Sequence, residues 1–253
     1  MNQRILEICI DNAAGLDAAI AGGADRIELC AALALGGLTP PTSLMRRTAK
    51  APVPVQAMIR PRAGDFVFSA AEVDLMLAEI DDVHAAGLAG VVLGASRPGD
   101  TLDETTLRRL HDHAAQFGLS TTLHRAFDLV PDLDAALERA IDLGFDRVLT
   151  SGGALTALAG LDRIAGLFAA ASGRISIMPG SGIGPDTIRT IAARLPVSEI
   201  HASAAAPLAG VSPRLRDFEF DSAAPRQTSE RIVRDLQRAW HEVADARVNQ
   251  THG

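Results

Sequence analysis

Along this 253-residue chain, short runs dense in valine, isoleucine and leucine alternate with longer stretches whose apolar positions return every three or four residues. A short apolar run bounded by turn residues reads as a buried strand, and a period near 3.6 reads as a helix with one apolar stripe. Strands are therefore expected over 4–10, 25–30, 53–59, 88–94, 119–124, 146–150, 174–178 and 197–201. Helices are expected between them over 12–22, 41–50, 69–86, 101–117, 131–143, 154–171 and 185–194. A last helix over 228–246 carries Ile232, Val233, Leu236, Trp240 and Val243 on one stripe. Eight strands each followed by a helix predict an α/β fold of the TIM type, a closed (β/α)₈ barrel of eight parallel strands with the helices outside. One domain over 1–253 suffices for it. An open doubly wound sheet fits less well, because the first turn reads Cys9-Ile-Asp-Asn and lacks a glycine-rich dinucleotide fingerprint.

A weak internal repeat points the same way. Gly23-Ala-Asp-Arg-Ile-Glu-Leu resembles Gly144-Phe-Asp-Arg-Val-Leu-Thr, and Gly87-Leu-Ala-Gly-Val-Val-Leu is a fainter copy. Each glycine is placed to end a helix in the left-handed conformation just before a strand. Residues 203–227, rich in alanine, proline and charge, are expected to form an irregular connector near the barrel mouth, and 247–253 a frayed tail.

Strand alternation sorts the side chains. If Leu6, Ile8 and Ile10 face the helices, then Ile5, Glu7 and Cys9 face the barrel interior; likewise Ile27 and Leu29 face out and Arg26, Glu28 and Cys30 face in. The same reading turns Ser120, Thr122 and His124 inward from strand five, and Glu199, His201 and Ser203 from strand eight. A barrel core is ordinarily filled with branched apolar residues, yet this one gathers Glu7, Glu28, Arg60, His124 and His201 at strand ends, where barrel enzymes keep their catalytic groups. The competing reading is a structural ion network in which arginine neutralises the glutamates. Proximity of Glu7 to Glu28 is expected to raise one of the two pKa values, giving an acid and a base in one site. Asp128 is placed to orient His124 or Arg125, and Arg60 to hold an anionic or carbonyl group. Ser151, Gly152 and the turn Gly180, Ser181, Gly182 are expected to bind substrate oxygens. That turn opens helix seven, so an anion is predicted there and at Ser203.

Composition removes several function classes. With 31 acidic and 24 basic side chains, a net charge of −7 argues against a nucleic-acid footprint and against attraction to anionic membranes. No apolar run approaches the roughly 18 residues that span a bilayer, and no signal peptide is read at the start. Two cysteines are too few for a disulfide framework and fit a reducing compartment, so a cytoplasmic location is expected.

Several stretches resemble the CutC family, named for copper homeostasis: Glu7-Ile-Cys-Ile-Asp, Gly22-Gly-Ala-Asp-Arg-Ile-Glu-Leu-Cys, Leu35-Gly-Gly-Leu-Thr-Pro, Met58-Ile-Arg-Pro-Arg with Gly64-Asp-Phe, His124-Arg-Ala-Phe-Asp, Leu149-Thr-Ser-Gly-Gly and Ile177-Met-Pro-Gly. The likeness runs from Glu7 to Ser203, departing where Ser181 replaces a frequent glycine and Ile200 a frequent phenylalanine. It implies a cytoplasmic homodimer, with copper as Cu(I) held by thiolates at Cys9 and Cys30. Cu(I) is soft and suits such ligands, and Met58 or Met178 is placed to complete the site. Barrel stagger means that the two sulfurs need not be level. Read without the resemblance, the residues favour another class, an enzyme acting on a small polar or anionic substrate such as a sugar or sugar phosphate. There Glu7, Glu28 and His124 share the acid/base work, for copper storage has no need of glutamate, arginine and histidine together.

Overall fold

A computed structural model of the chain describes residues 4–208, 212–218 and 225–250. Eight parallel strands form one sheet: β1 Ile5–Ile10, β2 Arg26–Leu29, β3 Val55–Met58, β4 Gly90–Leu93, β5 Ser120–Leu123, β6 Arg147–Thr150, β7 Ser176–Pro179 and β8 Glu199–Ala202. Their spatial order starts at β8, passes through β1 to β6 and ends at β7. β7 and β8 then lie side by side without a ladder, bridged by Ser176, whose hydroxyl donates to Glu199 at 2.9 Å. The expected barrel is met by seven hydrogen-bonded seams and one packed seam.

The outer helices are α1 Ala13–Gly22, α2 Thr42–Thr48, α3 Ala70–Ala86, α4 Glu104–Gln116, α5 Leu133–Leu143, α6 Leu161–Ala171, α7 Pro185–Arg194 and α8 Glu230–Gln250. Their starts follow capping chemistry: the Asn12 side chain accepts from the Gly15 N–H, and Ser69 with Glu72 forms a reciprocal capping box. Gly23, Gly87 and Gly144 end α1, α3 and α5 in the left-handed region, as the repeat implies. The apolar core is a belt between sheet and helices. It includes Leu6, Ile8, Ile10, Ile27 and Leu29 from the outward strand positions, and Val233, Leu236 and Trp240 from the expected stripe of α8.

Local structure departs from the sequence reading in four places. Helix 101–117 starts only at Glu104, since Asp103 caps it and Thr101–Leu102 pairs antiparallel with Ser96–Arg97. Helix 154–171 starts only at Leu161. The carbonyls of Ala154 and Leu155 are taken by Ser151, Arg125 and Ser181 instead of helical N–H groups. Within 203–227, Ala205–Pro207 pairs antiparallel with Arg226–Thr228, and Pro213–Asp217 forms a short helix. α8 runs past Arg247, where the tail was expected to begin, and 251–253 lie outside the described residues. No helix among the described residues is long and apolar enough to cross a membrane.

Candidate functional site

The inward face of the barrel carries a continuous polar network beside a small apolar cluster of Cys30, Met58 and Val92. β1 register sets Glu7 level with Arg26 on one side and with His201 on the other. Arg26 pairs through Nε with Glu7, and through Nη2 with Glu199 at 2.5 Å and with the Met178 sulfur at 3.1 Å. Arg147 bonds Glu199 at 3.2 Å and Thr122 at 3.1 Å; Thr122 donates to Gln56 at 3.0 Å, and Gln56 donates to Ser120 at 3.0 Å. This network crosses most of the barrel, and none of its fully buried polar side-chain atoms lacks a partner. Gln56 and Arg147 escaped the sequence reading, although each is a polar residue inside an otherwise apolar strand, which is the signal that marked Glu7 and Glu28.

One step nearer the mouth, the polar groups are no longer all satisfied. A cavity of about 1160 Å³ opens there, bordered by Cys9, Glu28, Arg60, His124 and His201, with Ser181, Gly182 and Ser203 on its rim. Glu28 Oε1, Arg60 Nε and His124 Nε2 are buried atoms without a partner. Arg60 is anchored by carbonyl oxygens, Nη1 donating to Leu35 and Gly37 at 2.9 and 3.1 Å and Nη2 to Gly64 at 2.7 Å. Phe66 lies beside both cavity groups: its ring centroid is 4.8 Å from the Arg60 guanidinium carbon and 4.8 Å from the His124 ring. Gly94 must be glycine, because a Cβ there would come within 2.3 Å of the His124 ring.

Electrostatics divide these groups. Burial alone would raise the Glu7 carboxyl, but Arg26 and the hydrogen bond from His201 hold it down at about 2. Burial first, with the Glu7 charge adding to it, pushes Glu28 up, so the two glutamates separate through burial and Arg26 more than through the proximity expected to divide them. His201 Nδ1 lies 2.8 Å from Glu7 and its Nε2 lies 3.8 Å from Glu28. Although burial opposes its charge, Glu28, Cys9 and Glu7 together raise His201 well above the ordinary histidine range. His124 behaves in the opposite way: burial first, then the Arg60 charge, lowers it to about 3. Its Nδ1 accepts the Ala126 N–H at 3.1 Å, which places the ring proton on Nε2 and makes that atom a neutral donor. His124 is thus held as a neutral hydrogen-bond donor, which suits the acid side of the acid/base work expected of it with Glu7 and Glu28.

Five other expected site residues lie off the cavity. Glu7 is fully buried beneath His201 and does not border the cavity. Asp128 orients Arg125 (2.8 Å), not His124, and accepts from Thr150, Ser151 and Gly153, stapling the loop after β6. The Ser151 hydroxyl is spent on Ala154 and Asp128; the Gly152 and Gly180 N–H groups donate to Thr150. None of these three borders the cavity. The strand pair Ala205–Pro207 and Arg226–Thr228 does, through Ala205, Gln227 and Thr228, so the expected connector contributes to the mouth.

Cys9 and Cys30 are both free and buried. β1–β2 register pairs Cys9 with Glu28, so Cys30 lies two residues further along, as the expected stagger requires. The Cys30 thiol donates to Glu28 at 3.6 Å and packs with Met58 and Val92, outside the cavity lining. Cys9, Glu28 and His201 instead bring ligand atoms within 4.8 Å of one another. Burial raises both thiols, Cys30 well above the usual range.

Comparison with known proteins follows this geometry. The CutC family model matches residues 4–206. The family protein CutC of Sinorhizobium medicae is 53% identical over 93% of this chain and 96% of its own length; that of Vibrio cholerae is 47% identical over 79% of each. Among solved structures, CutC from Streptococcus agalactiae, a proposed copper homeostasis protein, superposes with a TM-score of 0.75 at 27% identity, over 79% of this chain and 99% of that one. Phosphoribosyl anthranilate isomerase from Thermotoga maritima, at a TM-score of 0.57 and 14% identity over 96% of this chain and all of that one, shares the fold alone.

Proposed function

This chain belongs to the CutC family, and from that premise we propose that its barrel-mouth cavity is an active site for proton transfer on a small, oxygen-rich substrate, a sugar or sugar phosphate. One observation carries this: the three unpartnered buried atoms of Glu28, Arg60 and His124 all belong to residues that border one cavity. Buried polar atoms are normally paired, so such a set is what a ligand's own hydrogen bonds would complete. Arg60 Nε and neutral His124 Nε2 are two donors for a substrate oxygen, placed to stabilise negative charge as it develops there. The Glu28 carboxyl, raised by burial and coupled through His201 to ionised Glu7, is the proton-transferring group. The test is hydrogen–deuterium exchange at carbon, followed by NMR, in a panel of aldoses, ketoses and their phosphates incubated in D₂O. Wash-in with the wild type, lost by about a hundredfold or more in Glu28→Gln, supports the reading. No exchange across the panel overturns it.

A second reading has its own observation. Cys9 and Cys30 lie on adjacent strands, with Met58 beside Cys30 and bordering the cavity, a soft donor set suited to Cu(I) as cargo. The copper role proposed for the Streptococcus agalactiae relative supports it. It expects one Cu(I) per reduced chain in competition with a Cu(I) chelator, abolished by Cys9→Ser and by Cys30→Ser. Both readings suit a cytoplasmic homodimer: the cysteines are free thiols, and Leu155, 91% exposed, offers apolar surface to a second copy. Light scattering tests the dimer.

A further inference from the structure

We infer that Cys9, Glu28 and His201 form a binding site for a thiophilic divalent cation of the zinc type, distinct from a two-cysteine copper site. The three residues come from neighbouring strands, β1, β2 and β8, and their donor atoms lie within 4.8 Å of one another. Thiolate, imidazole and carboxylate are the ligand types that zinc takes, and three protein ligands leave a fourth position toward the cavity that Cys9, Glu28 and His201 all border.

Two further observations point to a ligand there. Glu28 is only 3% exposed, yet its Oε1 has no partner. His201 is oriented as metal-binding histidines usually are: its Nδ1 is held by the buried Glu7 carboxylate at 2.8 Å, which directs Nε2 toward Glu28 and Cys9.

Charge suits a divalent ion. Below the site, Glu7 and Glu199 are balanced by Arg26 and Arg147, the two arginines that touch them. The Cys9 thiolate and Glu28 carboxylate add two negative charges, which one divalent cation neutralises. Buried charge is strongly unfavourable unless it is compensated, and a divalent ion compensates both ligands. One consequence rests on the enzymatic reading above: an ion held by Glu28 and His201 removes them from proton transfer and inhibits the proposed chemistry. The binding itself does not depend on that reading.

The test is titration of the purified, reduced, metal-free protein with Co(II), read by absorption, followed by displacement with Zn(II). One equivalent of Co(II) should give a thiolate-to-cobalt charge-transfer band with four-coordinate ligand-field bands, and Zn(II) should bleach both. Cys9→Ser should remove the charge-transfer band, His201→Gln should weaken binding by about a hundredfold or more, and Glu7→Gln by about 10- to 100-fold. Cys30→Ser should leave the spectrum and affinity unchanged. Circular dichroism checks folding, and if His201→Gln does not fold, the two serine variants still decide. Absence of a thiolate band, its survival in Cys9→Ser, or its loss in Cys30→Ser overturns the site. Cobalt binding without any carbon–deuterium exchange would sink the enzymatic reading alone; exchange without cobalt binding would sink this site alone.

Discussion

Two tiers of polar side chains share the inside of this barrel, and they differ in how completely they are satisfied. In the lower tier Arg26, Glu7, Glu199, Arg147, Thr122 and Gln56 form one continuous chain of ion pairs and hydrogen bonds. In the upper tier Glu28, Arg60 and His124 each keep a buried atom without a partner. All of these residues are largely withdrawn from water, so burial does not separate the tiers; completeness does. An unsatisfied buried polar group costs about 1–3 kcal/mol, which folding alone has no reason to retain. The structural network and the proposed functional site, competing readings of the same inward residues, are therefore compatible, one stacked on the other.

Breaking the lower tier should have the largest effect. Arg26→Met removes the cation that both Glu7 and Glu199 face, with Glu7 fully buried. Stranding buried charge in this way typically costs about 3–5 kcal/mol. Urea denaturation should show that loss; a change below about 1 kcal/mol would mean that the ion pairs are not structural.

His124 sharpens the comparison, because it takes part in both roles. Its ring is packed against Phe66 and its Nδ1 caps the turn at Ala126, so His124→Ala should lose about 2 kcal/mol. His124→Asn keeps a capping acceptor and should lose less. The pH dependence separates them further. The folded state holds His124 neutral down to about 3, whereas in the unfolded chain it gains a proton near 6.5. Stability from this group is fully present above pH 6.5 and is lost as pH falls through that window toward about 3. Melting temperatures of wild type and His124→Asn should converge on acidification; parallel curves would refute a depressed histidine.

Glu28→Gln tests the upper tier with a smaller expected change. Neutralising a carboxyl that burial already disfavours should alter stability by no more than about 1 kcal/mol in either direction. A loss of about 3 kcal/mol would place Glu28 in the structural network, and its free Oε1 would then need another account.

The division between tiers was only half legible in the sequence. Inward parity follows from a period of two, so outward Leu6, Ile8 and Ile27 imply inward Glu7, Arg26 and Glu28, and outward Leu123 and Ile200 imply inward His124, Glu199 and His201. Partner choice depends on stagger and on loops, which no period encodes. Cys9 is level with Glu28, not Cys30, because of β1–β2 register. Asp128 serves Arg125 and the loop after β6 because the chain turns there instead of starting α6. Arg60 is held by carbonyls of Leu35, Gly37 and Gly64, and backbone acceptors leave no mark in side-chain chemistry.

The smallest expected effect concerns the rim of the upper tier, where Ser181, Gly182 and Ser203 border the cavity beside the start of α7. A helix start and turning backbone favour an anion, so sulfate or phosphate should bind weakly there at low ionic strength. Two features reduce the attraction. The Gly184 N–H is already used by the Thr187 hydroxyl at 2.6 Å, and Asp186 sits in the first turn of the helix. Gly182→Asp would not be a clean probe, because φ there is +69° and a Cβ would come within 2.8 Å of Thr156. Ser203→Asp is the better choice, since Ser203 is exposed and its substitution disturbs no packing. One added negative charge at an exposed rim is worth on the order of 1 kcal/mol, so phosphate affinity by NMR titration should fall about fivefold, and less in high salt. Equal affinities in Ser203→Asp and wild type would remove the rim from the site and leave substrate recognition to Arg60 and His124 below it.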